Sequence, residues 1–168
     1  MSENAEIAAR FPASHDIIVA ARQNLKQAEW DYVCGGAETE TSLRRNRQAL
    51  DSLSFRPRVL RDVSDVDTGT EFLGHKMAMP VMLAPIGSLQ LVDSGGAVTA
   101  AEVAAAYQTI YFCSSVTSPG RDEVGAATNA PKVFQLYVRG DDDWIDEQVK
   151  LAMDAGFEIF CLTVDTAH

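Results

Sequence analysis

The sequence is short of cysteine, of positive charge and of long apolar runs, and each shortage excludes something. Three cysteines, Cys34, Cys113 and Cys161, are an odd count at no metal-ligand spacing. No disulfide framework or metal site is expected, and the three read as reduced thiols of a cytosolic protein. Lysine and arginine total 14 against 24 acids, a formal charge of -10. That balance argues against nucleic acid or an anionic membrane as partner. No apolar run approaches the ~18 residues that a membrane-spanning helix needs. Residues 1–10 carry acids and no apolar stretch, so they do not read as a secretory signal. There is no Gly-x-Gly-x-x-Gly after the first apolar run and no Gly-Lys-Ser/Thr loop, and the Gly95-Gly96 pair is too little for a phosphate fingerprint. A Rossmann-type or P-loop nucleotide site is therefore disfavoured.

What the chain does have is a repeating order of elements. Residues 1–12 read as a loose lead-in. Ser14 can cap a helix running through Ile17, Ile18, Ala21, Leu25, Ala28 and Tyr32, ended by Gly35-Gly36. A second helix starts at 39–42. Residues 55–60 are extended around Pro57, and 70–73 with 76–79 form a small hairpin. From Val81 the pattern changes. Apolar runs at 81–85, 109–113, 132–138 and 158–164 alternate with helical patterns at 96–107, 121–127 and from Asp141 to Gly156. The acids at 141–143 suit the positive end of a helix dipole.

Strands that are apolar on both faces and separated by helices define a parallel α/β sheet. The repeat of roughly 25 residues suits βα units. Two architectures fit: a doubly wound sheet, or part of a (β/α)8 barrel, whose full form needs ~250 residues. The missing nucleotide fingerprints favour the barrel. The expected organisation is an N-terminal helical and hairpin segment, 1–79, followed by the first four βα units of a TIM barrel, 80–168. A sheet ending after its fourth strand leaves an apolar face and a parallel edge uncovered, so a second half from other sequence is expected.

In both architectures ligands bind beyond the carboxyl ends of the strands. Those ends carry Ala84-Pro85-Ile86-Gly87, Ser114-Ser115, Gln135-Leu136-Tyr137 and Thr163-Val164-Asp165. Within 132–138, Val133, Gln135 and Tyr137 share one face and Phe134, Leu136 and Val138 the other. The second face is wholly apolar and suits the underside of a helix. An amide and a phenol buried on the first need polar partners, from a neighbouring strand or from a ligand, because each unpartnered group costs about 1–3 kcal/mol. Gly87 permits close backbone approach to a flat ligand. Ser114, Gln135 and Thr163 suit the donors and acceptors of a heterocycle. Taken singly, each has a plainer role. Ser114 and Thr163 are most simply strand-end hydroxyls bonding nearby backbone. Gln135 is as readily a core bridge as a ligand contact, Tyr137 a core aromatic, and Asp165 a helix cap. Tyr32 reads as core by its helical spacing. His15 and His75 read as solvated, and His168 has no legible partner.

The motifs 31–38 (Asp-Tyr-Val-Cys-Gly-Gly-Ala-Glu), Thr41-x-x-x-x-Asn46, 55–60 (Phe-Arg-Pro-Arg-Val-Leu) with Asp62-Val63-Ser64, 79–85, Phe134-Gln135-Leu136-Tyr137 and Leu162-Thr163-Val164-Asp165-Thr166 occur in this order. The ordered set resembles the N-terminal half of the FMN-dependent α-hydroxy-acid oxidase/dehydrogenase family, from about Ile17 onward. The resemblance implies a TIM barrel cut after its fourth strand and FMN as cofactor. The backbone of Ala84, Pro85, Ile86 and Gly87 would lie along the flavin, and Ser114, Gln135 and Thr163 would bond its edge. Tyr32 and Tyr137 would contact the substrate, Tyr137 taking part in the chemistry. Asp165 would orient the catalytic histidine and stabilise its protonated form. That histidine, with the flavin lysine, the substrate arginines and the phosphate site, belongs to the family's other half.

The implied reaction is oxidation of an (S)-2-hydroxy acid to a 2-oxo acid, with dioxygen or another electron acceptor. The implied partners are a complementary C-terminal half and, in a cytoplasmic enzyme, further copies in a homo-oligomer. Two departures stand out. Residues 92–97 replace a usual His-Pro-x-Gly-Glu, with Glu102 in an arginine's place, and Val116 stands where some members carry a bulky aromatic. The rival readings are a non-catalytic half-barrel that pairs with itself and an FMN barrel with isomerase-like chemistry.

Overall fold

The computed structural model describes residues 3–165. It divides into two compact units, Met1–Asp62 and Val63–His168.

The first unit holds four helices: α1 (Glu3–Arg10), α2 (Ser14–Asn24), α3 (Gln27–Cys34) and α4 (Thr41–Asp51). Three expectations are corrected here. The lead-in is helical, because its alanines and glutamates are strong helix formers and the run stops two residues before Pro12. Ser14 is not the cap: Ala13 is, and its backbone N–H donates to Asp16 Oδ2 at 3.0 Å. The single helix expected through Tyr32 is two. Leu25 and Lys26 are extended, and Glu29 Oε2 accepts the Lys26 N–H at 3.0 Å to start α3 afresh. Tyr32 consequently is not core; it is 60% exposed.

The second unit opens with a hairpin, β1 (Thr70–Phe72) against β2 (His75–Met77), turned through Leu73 and Gly74. There follow α5 (Gly96–Ala106), β3 (Tyr111–Ser114), α6 (Arg121–Ala127), β4 (Lys132–Tyr137), α7 (Asp142–Asp154) and β5 (Ile159–Thr163). Strands β3, β4 and β5 lie parallel in that order. The run at 81–85 is not a full strand. It touches the sheet in one parallel bridge, Leu83 to Tyr111, with Leu83 N–H to Ile110 O at 3.1 Å and Phe112 N–H to Leu83 O at 3.0 Å. Pro80 and Pro85 bracket it and supply no ladder donors. Among the described residues the α/β architecture is thus three parallel strands plus one bridge, with a helix after the bridge, after β3 and after β4.

The two faces of the sheet are distinct. Tyr111, Cys113, Phe134 and Leu136 point outward under Ala97, Ala101 and Ala104 of α5, Val124 of α6 and Ala152 of α7. Small residues on α5 let the helix lie close to the strands. Val138, expected on this face, lies past the strand end and is exposed. The inner face has two layers. Met82, Phe112, Val133, Ile159 and Cys161 form an apolar lower layer closed by Ile110 and by Phe72 and Met77 of the hairpin. His75 is drawn in with it, 3.7 Å from Glu158, rather than fully solvated. Above, the row continues with Ala84, Ser114, Gln135 and Thr163.

Candidate functional site

The upper layer of the inner face is polar because its residues fall at strand ends, where each side chain is one pleat above an apolar one. Register sets the neighbours: Ser114 pairs with Gln135, Gln135 with Cys161, and Tyr137 with Thr163. Gln135 is 1% exposed, and its Nε2 donates to Thr163 Oγ1 at 2.6 Å. Its Oε1 is buried without a partner among the described residues. Turning the amide over would leave the nitrogen unpartnered instead, so one end is unsatisfied either way. The bridge to the next strand is thus present at one end, and the other end has no protein partner among the described residues.

Ser114 is 2% exposed, and its Oγ accepts the Val116 N–H at 3.3 Å. The plain strand-end role is real here, and the hydroxyl proton is still available to an acceptor. Ser115, the neighbour that sequence reading passed over, does more holding. Its N–H donates to Gln135 O at 2.8 Å and its Oγ accepts the Tyr137 N–H at 3.2 Å. These bonds extend β3 past its last ladder pair and fix the half-buried Tyr137. Alternation alone gave no signal for this, since a serine after a strand is ordinarily a turn residue.

The loop after the first bridge is clasped to the loop after β3. Ser88 N–H donates to Val116 O at 3.1 Å, and Ser118 N–H to Gln90 Oε1 at 3.2 Å. A Cβ on Gly87 would sit 2.8 Å from Val116 Cγ2, so the close approach that Gly87 permits is to Val116. Ala84 and Ile86 are exposed, while Pro85 and Gly87 are partly covered. Asp165 follows β5 and is exposed; Thr166 and His168 lie outside the described residues. The second unit therefore brings together Ala84–Gly87, Ser114, Gln135, Tyr137, Thr163 and Asp165 at one set of strand ends. Tyr32 belongs to α3 of the first unit.

Electrostatics on the outer face are different. Burial pushes the Cys113 thiol up to about 12; Arg121 opposes the rise and Glu123 adds to it. Burial likewise raises the Tyr111 phenol, whose oxygen is enclosed without a partner among the described residues. At the other end of β4, Lys132 is 3% exposed and its amine is pulled below its ordinary range by burial, with Glu158 opposing. Its Nζ donates to Thr128 O at 2.8 Å. Among the described residues no group of three or more His, Cys, Asp or Glu is placed to hold a metal ion.

Parallel strands with helical crossovers and a polar row at their carboxyl ends make an α/β fold consistent with part of a barrel. Comparison with known proteins makes this specific. The model of the FMN-dependent dehydrogenase family matches residues 21–168, and the chain belongs to that family. It is 40% identical over 146 residues to glycolate oxidase 1 of Zea mays, covering 87% of this chain and 40% of the relative. It is 39% identical over 145 residues to a peroxisomal (S)-2-hydroxyacid oxidase of Arabidopsis thaliana, covering 86% and 40%. A crystal structure of mandelate oxidase superposes with a TM-score of 0.84 at 34% identity, covering 90% of this chain and 44% of that one. The chain thus spans about two fifths of the length of these curated relatives, 40% in each case. FMN is the family's cofactor. The half-partnered Gln135 amide, with a serine and a threonine beside it, fits the edge of such a ring.

Proposed function

We propose that this chain supplies the flavin-facing half of an FMN-dependent enzyme that oxidises an (S)-2-hydroxy acid to the 2-oxo acid. The observation that carries it is the buried Gln135 amide, one end on Thr163 and the other without a partner, in a row of polar strand ends. Gln135, Thr163 and Ser114 hold the ring's heteroatoms, and the backbone from Ala84 to Gly87 lies along it. When bound, FMN takes up the electrons released at the substrate's carbinol carbon and passes them to dioxygen or another acceptor. Tyr137, fixed through its N–H by Ser115, binds the substrate's carboxylate or hydroxyl. Asp165 orients an imidazole through its N–H and favours the protonated ring once that base has taken the hydroxyl proton.

The imidazole comes from a complementary C-terminal half, which the reaction requires. The exposed Cys34 thiol supports a reducing compartment, the cytoplasm, and the full assembly is a homo-oligomer of completed barrels. Mixing the chain with the remainder of Zea mays glycolate oxidase 1 and FMN tests the reading. Lactate, glycolate or mandelate should bleach the yellow band without oxygen; no bleaching with any of them refutes it. The exposed Phe160 and Leu162 of β5 suit a second reading, a non-catalytic half-barrel that pairs with itself. A colourless homodimer that takes up no FMN would establish that one.

A further inference from the structure

Strands β3 and β4 make their last register pair at Ser114 and Gln135. Strand β4 runs on to Tyr137, which pairs with Thr163 of β5. One residue just past β3 makes up the difference. The Ser115 N–H donates to Gln135 O at 2.8 Å, as a continuing ladder would. In an evenly spaced parallel ladder the next acceptor, for the Tyr137 N–H, is the carbonyl of that same residue. Here the Ser115 hydroxyl takes the bond instead, at 3.2 Å. The backbone is thereby released to leave the sheet, and it does so at once: Val116 O accepts the Ser88 N–H, and the Ser118 N–H reaches Gln90 Oε1. The neighbouring hydroxyl, Ser114 Oγ, is turned to the Val116 N–H.

We propose that the Ser115 hydroxyl is a positioning group: it sets Tyr137 relative to Gln135 and so fixes where the phenol meets the substrate. The proposal rests on the oxidase reading above and adds the residue that keeps the tyrosine in register with the flavin-facing amide. Ser115 acts through two backbone bonds, one to residue 135 and one to residue 137. Tyr137 is the last residue of β4 and only half-buried. Held by β5 alone, that strand end would swing about a single seam. Tied on both sides, it presents the phenol in one place. The Ser115 side chain also borders a polar cavity of about 280 Å³, whose other walls include Thr117, Arg121 and Gln148. A methyl group added at Ser115 therefore has room, and water reaches the Tyr137 N–H once the hydroxyl is gone. Such a water satisfies the donor but has no fixed place. Loss of the hydroxyl thus misplaces Tyr137 without unfolding the strand.

Threonine keeps the hydroxyl at this position and valine removes it at nearly the same volume. The test uses the whole 168-residue chain, alone and combined with FMN and the separately expressed remainder of Zea mays glycolate oxidase 1. In the chain alone, NMR should show the Tyr137 amide exchanging at least tenfold faster in Ser115→Val and near the wild-type rate in Ser115→Thr. In the combined protein, KM is measured for whichever of lactate, glycolate or mandelate bleaches the wild type. It should rise at least fivefold in Ser115→Val, with FMN affinity within twofold, and Ser115→Thr should restore it. Where circular dichroism shows the valine variant misfolded, Ser115→Ala takes its place; if both misfold, the hydroxyl serves the fold and the proposal falls. An unchanged Tyr137 amide overturns the proposal. So does a KM that stays put while the amide speeds up, or a loss that threonine shares. A fall in FMN affinity in step with KM overturns it too, because the hydroxyl would then serve the whole strand end. No bleaching by the wild type sinks the oxidase reading instead, and the Tyr137 amide alone then decides whether Ser115 positions that residue.

Discussion

Gln135 shows how a single side chain can be needed twice. Its donor end closes the sheet to Thr163 and its acceptor end stays enclosed and unpartnered. Tyr111 is the contrasting case: its hydroxyl is also buried and unpartnered among the described residues, but in the apolar outer-face cluster that includes the alanines of α5. Nothing there calls for a polar group, so Tyr111→Phe should stabilise the chain by about 1 kcal/mol, measured by urea unfolding. Cys113 gives a pH-dependent counterpart. Its thiol is held at about 12 against an ordinary 9.0. Below pH 9 it is protonated whether the chain is folded or not. Between 9 and 12 only the unfolded chain loses the proton, so this residue's contribution falls as pH rises through that window. Cys113→Ala should flatten the alkaline decline relative to the wild type, while native Cys113 should alkylate more than about tenfold slower than exposed Cys34 at pH 8. The polar strand ends were legible from alternation because a strand has a fixed period. Tyr32 was misjudged because helical spacing says which residues share a face, not whether that face is covered.

Among elements, the join between α5 and the loop after β3 is the tightest. Gly96 opens α5 at φ 47°, and a Cβ there would lie 2.2 Å from Ser118 O. Gly96→Ala should cost roughly 1–3 kcal/mol, seen as a lower urea midpoint with an unchanged slope. The sequence marked this pair of glycines only as a failed phosphate signature; their use is in packing, which needs the partner loop to be seen. Helix α7 was legible because its acidic start, apolar stripe and closing Gly156 agree with one another, α6 from its acidic first turn, and α5 from its alanine-rich run. The segment around Leu83 was not, since an apolar run bracketed by two prolines looks like a buried strand while lacking the donors of one. The break between α2 and α3 escaped for a local reason: a glutamate that caps from within a helical pattern looks like any other helix former.

For the molecule as a whole, the legible part was the order and sense of the parallel strands, and the illegible part was how much stays uncovered. Phe55 and Leu60 in the first unit, and Val164 in the second, are 102%, 101% and 84% exposed. Large apolar groups left in water in this number make an adhesive surface. The chain should therefore bind an apolar dye such as anilinonaphthalene sulfonate, with a fluorescence rise over buffer in the absence of denaturant. No rise would mean that these groups are not open to a small apolar ligand.

The division of the inner face into an oily storey and a polar one separates two kinds of heritable change. Alterations among Met77, Phe112, Val133 and Ile159 should register as melting temperature and leave ligand preference alone. Those one pleat higher, at Ala84, Ser114, Gln135 and Thr163, should register as occupancy of the proposed flavin site. Lineages can thus retune what the mouth accepts without rebuilding the floor beneath it.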